Sequence, residues 1–310
     1  MRHLGKLAAT GLAASLLTTA CGGVADVLAG LSPSQVISLA GAKVTTQSYR
    51  MAVHGTVAID AGQVQGMPPS ALEQMSGILK SFTVDGKADV QSAQRLRMAM
   101  SLSLPQAGAK QFVAVLYDGK YYLSLDGGRT FADGGGFNLQ GITASPTDVK
   151  SLLTGTVDPR NLGTTVHDGQ NVEHVRATLG PNYFNDVLDK FSGSGAAASG
   201  AGQLRDLIKQ IISVRSGTVD VYVRTLDGRI ESTRSQVVIA LDMGKLMSVL
   251  LHQFGGQIPS GSALPQVSGS MLMTVSGTDR FSDYGASISV AKPTVDPNAP
   301  GFPSLFGGGA

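Results

Sequence analysis

The chain has 310 residues, enough for one large domain or two small ones, with 42% apolar residues, 15% charged residues and 40 glycines. Lys and Arg number 24 against 22 Asp and Glu, and they are scattered, so the charge speaks against a nucleic-acid partner, which needs a concentrated basic face. A single cysteine, Cys21, excludes a disulfide framework.

Arg2, His3 and Lys6 form a basic start, and Leu7 to Leu17 is an apolar, small-residue stretch too short for a stable transmembrane helix. The run Leu16-Leu17-Thr18-Thr19-Ala20 then meets Cys21. This resembles a bacterial lipoprotein signal peptide, which implies that residues 1–20 are removed and that Cys21 carries acyl chains as the first mature residue. Thr18 departs from the aliphatic residue usual three places before the cysteine, and an ordinary secretory signal with an incidental cysteine is the alternative. A lone cysteine in an exported chain has no disulfide partner, which favours acylation. Two or three acyl chains anchor stably, where one is marginal.

Residues 21–31 read as a tether. Ser32-Pro33-Ser34-Gln35 is a helix start, with Ser as N-cap and Gln closing a capping box, and Val36, Leu39, Ala40 and Val44 follow at helical spacing. Tyr49 to Ile59 switches to period two and predicts a strand. Gly62, Gly66 and Pro68-Pro69 break the chain before a helix marked by Leu72, Met75, Ile78 and Leu79. Phe82 to Val90, turning at Asp85-Gly86, and Arg95 to Leu104 resume the strands. In the latter, Leu96, Met98, Met100, Leu102 and Leu104 share a face, opposite Arg95, Arg97 and Ser101.

Gln111 to Leu125 is the strongest hairpin signal, two apolar runs joined by Asp118-Gly119. Phe112, Ala114 and Leu116 alternate with Val113, Val115 and Tyr117, so neither face suits water, and the pair must be covered on both sides. A Gly-rich loop at Gly134-Gly135-Gly136 and a second Ser-Pro helix start at Ser145-Pro146 come next. Thr164 to Leu179 reads as a hairpin at Asp168-Gly169, Pro181 to Phe191 as a short helix, and 192–202 as a low-complexity connector. Leu204, Leu207, Ile208 and Ile211 mark a helix, and Thr218 to Leu226 with Ile230 to Leu241 a long hairpin. Met243, Leu246, Met247, Leu250, Leu251 and Phe254 form the strongest helical stripe. Ser270 to Gly277 and Ala286 to Ala291 supply the last strands before a proline-rich tail. Six Asp-Gly pairs favour an antiparallel meander of about ten strands over repeated βαβ units.

Chemistry-bearing motifs are sparse. His54 and His252 read as solvent-facing or satisfied, and His167 and His174, with Asp168 between, lack the further ligands a zinc site needs. There is no Gly-x-Ser-x-Gly elbow and no phosphate loop, so the reading is of a non-enzyme without cofactor or metal. Methionine is conspicuous: Met51, Met98, Met100, Met271 and Met273 on strands, Met243 and Met247 on the late helix. As core filler each is unremarkable; together they suit a cavity that adapts to acyl chains.

The lipoprotein signal, the helix leading into Tyr-x-Met-x-Val-x-Gly from Tyr49, the run Val115 to Leu123, and the ending Asp283-Tyr284-Gly285 with Ser287 to Val290 and Pro293 together resemble the LppX/LprG-type lipoproteins of actinobacteria. Tyr222 stands where that family often carries Trp. The resemblance implies an α+β fold of the lipoprotein-carrier type seen in LolA and LolB: a strongly curved antiparallel half-barrel with helices packed across its concave face. It implies one lipid-binding domain over 32–293, then a disordered tail over 294–310. The expected function is an exported envelope lipoprotein, lipid-anchored through Cys21 to the outer face of the cell membrane, that binds a lipid or glycolipid for transport or presentation, with a membrane transporter as partner. The alternative is an envelope interaction or sensor module without cargo. The cavity is expected to be lined by Met98, Met100, Leu102, Val113, Val115, Leu246, Leu250, Met271 and Met273.

Overall fold

The computed structural model describes residues 28–70, 81–104, 108–133, 155–183, 185, 209–254 and 267–299, and of 249–254 the backbone alone. Cys21, the expected helix over 72–79, the loop at Gly134, the Ser145-Pro146 helix start and the connector over 192–202 lie outside the described residues.

Helix α1, Pro33–Thr46, begins as its sequence demands: Ser32 accepts from the Gln35 amide while Gln35 accepts from the Ser32 amide at 2.9 Å. Its buried face is Val36, Ile37, Ala40, Gly41 and Val44. Leu39, expected on that face, is 47% exposed, and Ile37 takes its place.

Among the described residues eleven strands follow: β1 Tyr49–Asp60, β2 Ser81–Ser92, β3 Arg95–Leu104, β4 Gly108–Tyr117, β5 Lys120–Ser124, β6 Ala132–Asp133, β7 Thr156–His167, β8 Gln170–Leu179, β9 Ile212–Arg224, β10 Ile230–Asp242 and β11 Ser270–Ser282. Helix α2, Met243–Phe254, joins the last two. They form one open antiparallel sheet in the order β6-β5-β4-β3-β2-β1-β11-β10-β9-β8-β7. Every neighbour is sequential except β1 and β11, whose seam runs from Arg50 opposite Ser282 to Asp60 opposite Leu272.

The hairpins at Asp118-Gly119 and Asp168-Gly169 place both turn residues at positive φ, as tight two-residue loops require. Asp85-Gly86 departs from expectation. It is not a turn; β2 runs straight through, with Gly86 opposite Val53 on one side and Met100 on the other. A strand laddered on both sides has no free backbone groups to spend on a turn. The strand expected at Ala286 to Ala291 is instead an extended segment outside the sheet. β7 and β11 each run several residues beyond their expected bounds.

α1 packs against β7 to β10, and Val36, Ile37, Ala40 and Val44 join one core cluster with Tyr49, Met51, Val90, Met98, Tyr121, Val175, Val221 and Phe281. A flat sheet of this strand number would span about 50 Å at ~4.8 Å per strand. A single apolar cluster on one face reaching from β5 to β9 fits a curved sheet. On the opposite face Val113, Val115 and Tyr122 pack under Ile288 and Val290 of the C-terminal segment. The apolar hairpin of β4 and β5 is therefore covered on both faces, as its composition requires. That segment is pinned by Val290 N–H to Gln91 Oε1 at 3.0 Å and, within the tail expected to be disordered, by Asp296 N–H to the Phe131 carbonyl at 2.9 Å.

Candidate functional site

Directly opposed residues of an antiparallel pair share a face, so the register builds rows across the sheet. On the α1 face the row Phe281, Met51, Ala88, Met98 and Ala114 is buried in the core. The next row is Asp279, Val53, Gly86, Met100 and Phe112, and the one beyond it Gly277, Gly55, Val84 and Leu102. Val275, Val57 and Phe82 follow. Val53, Phe82, Val84, Met100, Leu102, Phe112 and Val275 are all half-buried. They form an apolar strip that α1 does not close.

The strip has a bare centre. Gly55 faces Gly277 across the seam, and a Cβ added at Gly55 would meet nothing nearer than 3.7 Å. Gly86 differs, because the Met100 side chain lies over it, 3.1 Å from where its Cβ would be. At the far end Met243, Leu246, Met247 and Met271 pack with Val64 and Val267, next to Met273, which sits between Ile59 and Ile239.

Of the expected cavity residues, Met98, Met100, Leu102, Met271 and Met273 share the α1 face, and Leu246 joins Met271. Met98 is core. Leu250 lies on α2 with its side chain outside the described set. Val113 and Val115 are corrected: they point to the opposite face, under the C-terminal segment. Sequence reading passed over Val53, Val57, Val84 and Val275 as site residues although their alternation was plain, because the pairing that aligns them was not.

Asp279 is a polar member of this face, opposite Thr233. It accepts a hydrogen bond from Thr233 Oγ1 at 2.8 Å, and burial pushes its carboxyl above the usual carboxylate range, with the Thr233 bond pulling the other way. Glu173, on the same side of the sheet, is fully buried; Thr164 Oγ1 donates to its Oε2 at 2.9 Å, and Oε1 has no partner among the described residues.

The opposite face gathers His167 and His174. Tyr222 is stacked between His167, at 3.8 Å between ring centres, and His174, at 4.6 Å. His174 Nε2 lies 2.6 Å from Asp220 Oδ1, which also accepts from Arg176 Nε at 2.7 Å. His167 Nε2 lies 3.1 Å from Ser232 Oγ. Among the described residues no three His, Cys, Asp or Glu side chains gather as a metal site, and no helix is long and apolar enough to cross a membrane.

No family model matches the chain, and no curated protein matches it. Among solved structures it is similar to the lipoprotein LppX of Mycobacterium tuberculosis, at 15% identity and a TM-score of 0.37, over 84% of this chain and 98% of that one. It is also similar to LprF of Mycobacterium bovis, at 11% identity and a TM-score of 0.37, over 84% and 97%. A chain of the MucA/MucB complex of Pseudomonas aeruginosa matches at 11% identity and a TM-score of 0.23, over 79% and 93%.

Proposed function

We propose that the chain is an envelope lipoprotein that binds the acyl chains of a lipid or glycolipid on the α1 face, for transport or presentation. The observation that supports this reading is the half-buried apolar strip around Gly55 and Gly277, which α1 leaves uncovered. Apolar side chains held part-way out of water gain about 0.8 kcal/mol for each methylene that a ligand buries against them. Methionine adapts to chains of differing shape, and Met100 and Met273 sit on the strip and at its end. In this reading the sheet curls as a half-barrel with the strip on its concave side. Cys21, acylated, holds the protein to the outer face of the membrane, and a membrane transporter supplies or receives the cargo.

Native mass spectrometry with lipid extraction on protein purified from a bacterial host tests it. A bound species of lipid mass is expected, reduced in Met100→Trp, which fills the strip next to Gly86. A clean apo mass, with no uptake of added phospholipid or glycolipid, overturns the carrier reading and leaves the interaction or sensor module.

A further inference from the structure

The face away from α1 carries a trough of about 590 Å³ across β11, β1, β2, β3 and β4, within the usual size range of small-molecule sites. Its floor is a single cross-strand row, Arg280, Ala52, Lys87, Ala99 and Val113. Two alanines flanking one lysine make the depression, and longer side chains of the adjoining rows raise its walls.

The charges around the trough are unevenly matched. His54 Nδ1 and Asp85 Oδ1 are hydrogen-bonded at 2.7 Å, Arg50 holds Asp89, which stands opposite Arg97, at 3.1 Å, and Asp168 holds Arg280 at 2.7 Å. Lys87 and Arg97 both line the trough, and among the described residues neither has a carboxylate in salt-bridge range. Ser101, Gln111 and Thr278 add neutral hydrogen-bonding groups on the same wall.

We propose that this trough binds a phosphomonoester. Arg97 offers the planar fork that pairs with phosphate oxygens, and Lys87 a point charge from the floor. A dianion neutralises both cations, where a carboxylate neutralises one. The space beyond the phosphate, lined by Ser101 and Gln111, takes the hydroxyl-bearing part of the ester. The same chemistry is presented by a soluble sugar or glycerol phosphate and by a phosphatidate headgroup. The trough lies on the face opposite the apolar strip and stands or falls separately from it.

The test follows the backbone amides of Ala52, Lys87 and Ala99 by NMR, with the full chain in neutral detergent. It is titrated with glycerol 3-phosphate and, separately, with a short-chain phosphatidate. Saturable shifts at these amides are expected, with affinity falling about tenfold or more in Lys87→Ala and in Arg97→Ala and unchanged in Lys43→Ala on α1. All three side chains are exposed, so the variants keep the fold. Equal affinity for the two probes identifies a soluble ester as the ligand, and tighter binding of phosphatidate identifies the lipid headgroup. No saturable shift with either probe, or undiminished affinity in both trough variants, overturns the proposal.

Discussion

Gly55 on β1 lies directly opposite Gly277 on β11, at the middle of the seam that joins the first strand to the last. Two bare residues at the centre of an apolar face leave a depression where side chains would otherwise meet. Gly55→Phe is expected to fill it. The new Cβ meets only ordinary contacts, with Ser276 O at 3.7 Å and Val84 Cβ at 3.9 Å, and an aromatic residue suits a strand better than glycine. Thermal unfolding should be unchanged or slightly raised, while lipid loading by native mass spectrometry falls. A variant that melts far lower would show that the space is already occupied by the protein itself.

Asp279 should make the fold sensitive to pH. Its folded carboxyl is raised above 3.8, chiefly by burial, so the protonated form suits the fold. Its contribution to stability is present below 3.8 and is lost as pH climbs through the raised value. Asp279→Asn keeps an acceptor for Thr233 and removes the charge. Denaturant unfolding should find it more stable than wild type by about 1 kcal/mol at neutral pH, with the gap closing near pH 3. A gap of the same size at both pH values would sink this account.

Glu173 is fully buried with Oε1 unpartnered among the described residues. Glu173→Gln preserves shape and the bond from Thr164, and is expected to stay within about 1 kcal/mol of wild-type stability. Glu173→Ala leaves a cavity and should cost about 2–3 kcal/mol. Urea unfolding of the pair separates shape from functional group, and a Gln variant as damaged as the Ala variant would mean that the carboxyl itself is needed.

Val290 is 5% exposed over Val113, Val115 and Tyr122. Val290→Asp puts a charge into that cover and is expected to destabilise by about 3 kcal/mol. Leu226→Asp, at a residue 85% exposed, should be neutral. Hydrogen exchange at the amides of Val113 and Val115 should quicken only in the first. Unchanged exchange there would mean the segment does not hold the hairpin.

Local signals were read well where the chain itself carries the constraint. The capping box at Ser32 and Gln35 and the turns at Asp118-Gly119 and Asp168-Gly169 depend on a few adjacent residues, and the structure shows each of them. Asp85-Gly86 carries the same dipeptide yet lies mid-strand, because both neighbouring strands claim its backbone. Alternation assigned Met100 to one face of β3 and Val113 to one face of β4. It could not say that these faces are opposite ones.

The sequence by itself determined an antiparallel, strand-rich chain with an apolar hairpin covered on both sides and a capped helix ahead of β1. Those properties follow from composition, period and turn chemistry, which act over a few residues. Only the tertiary structure decided that β1 pairs with β11, that Gly55 meets Gly277, that Tyr222 is clasped by His167 and His174, and that Lys87 and Arg97 share a trough. Each of these rests on register between distant strands. A shift of one residue would turn every side chain of a strand to the other face, and that choice is made by the whole sheet at once.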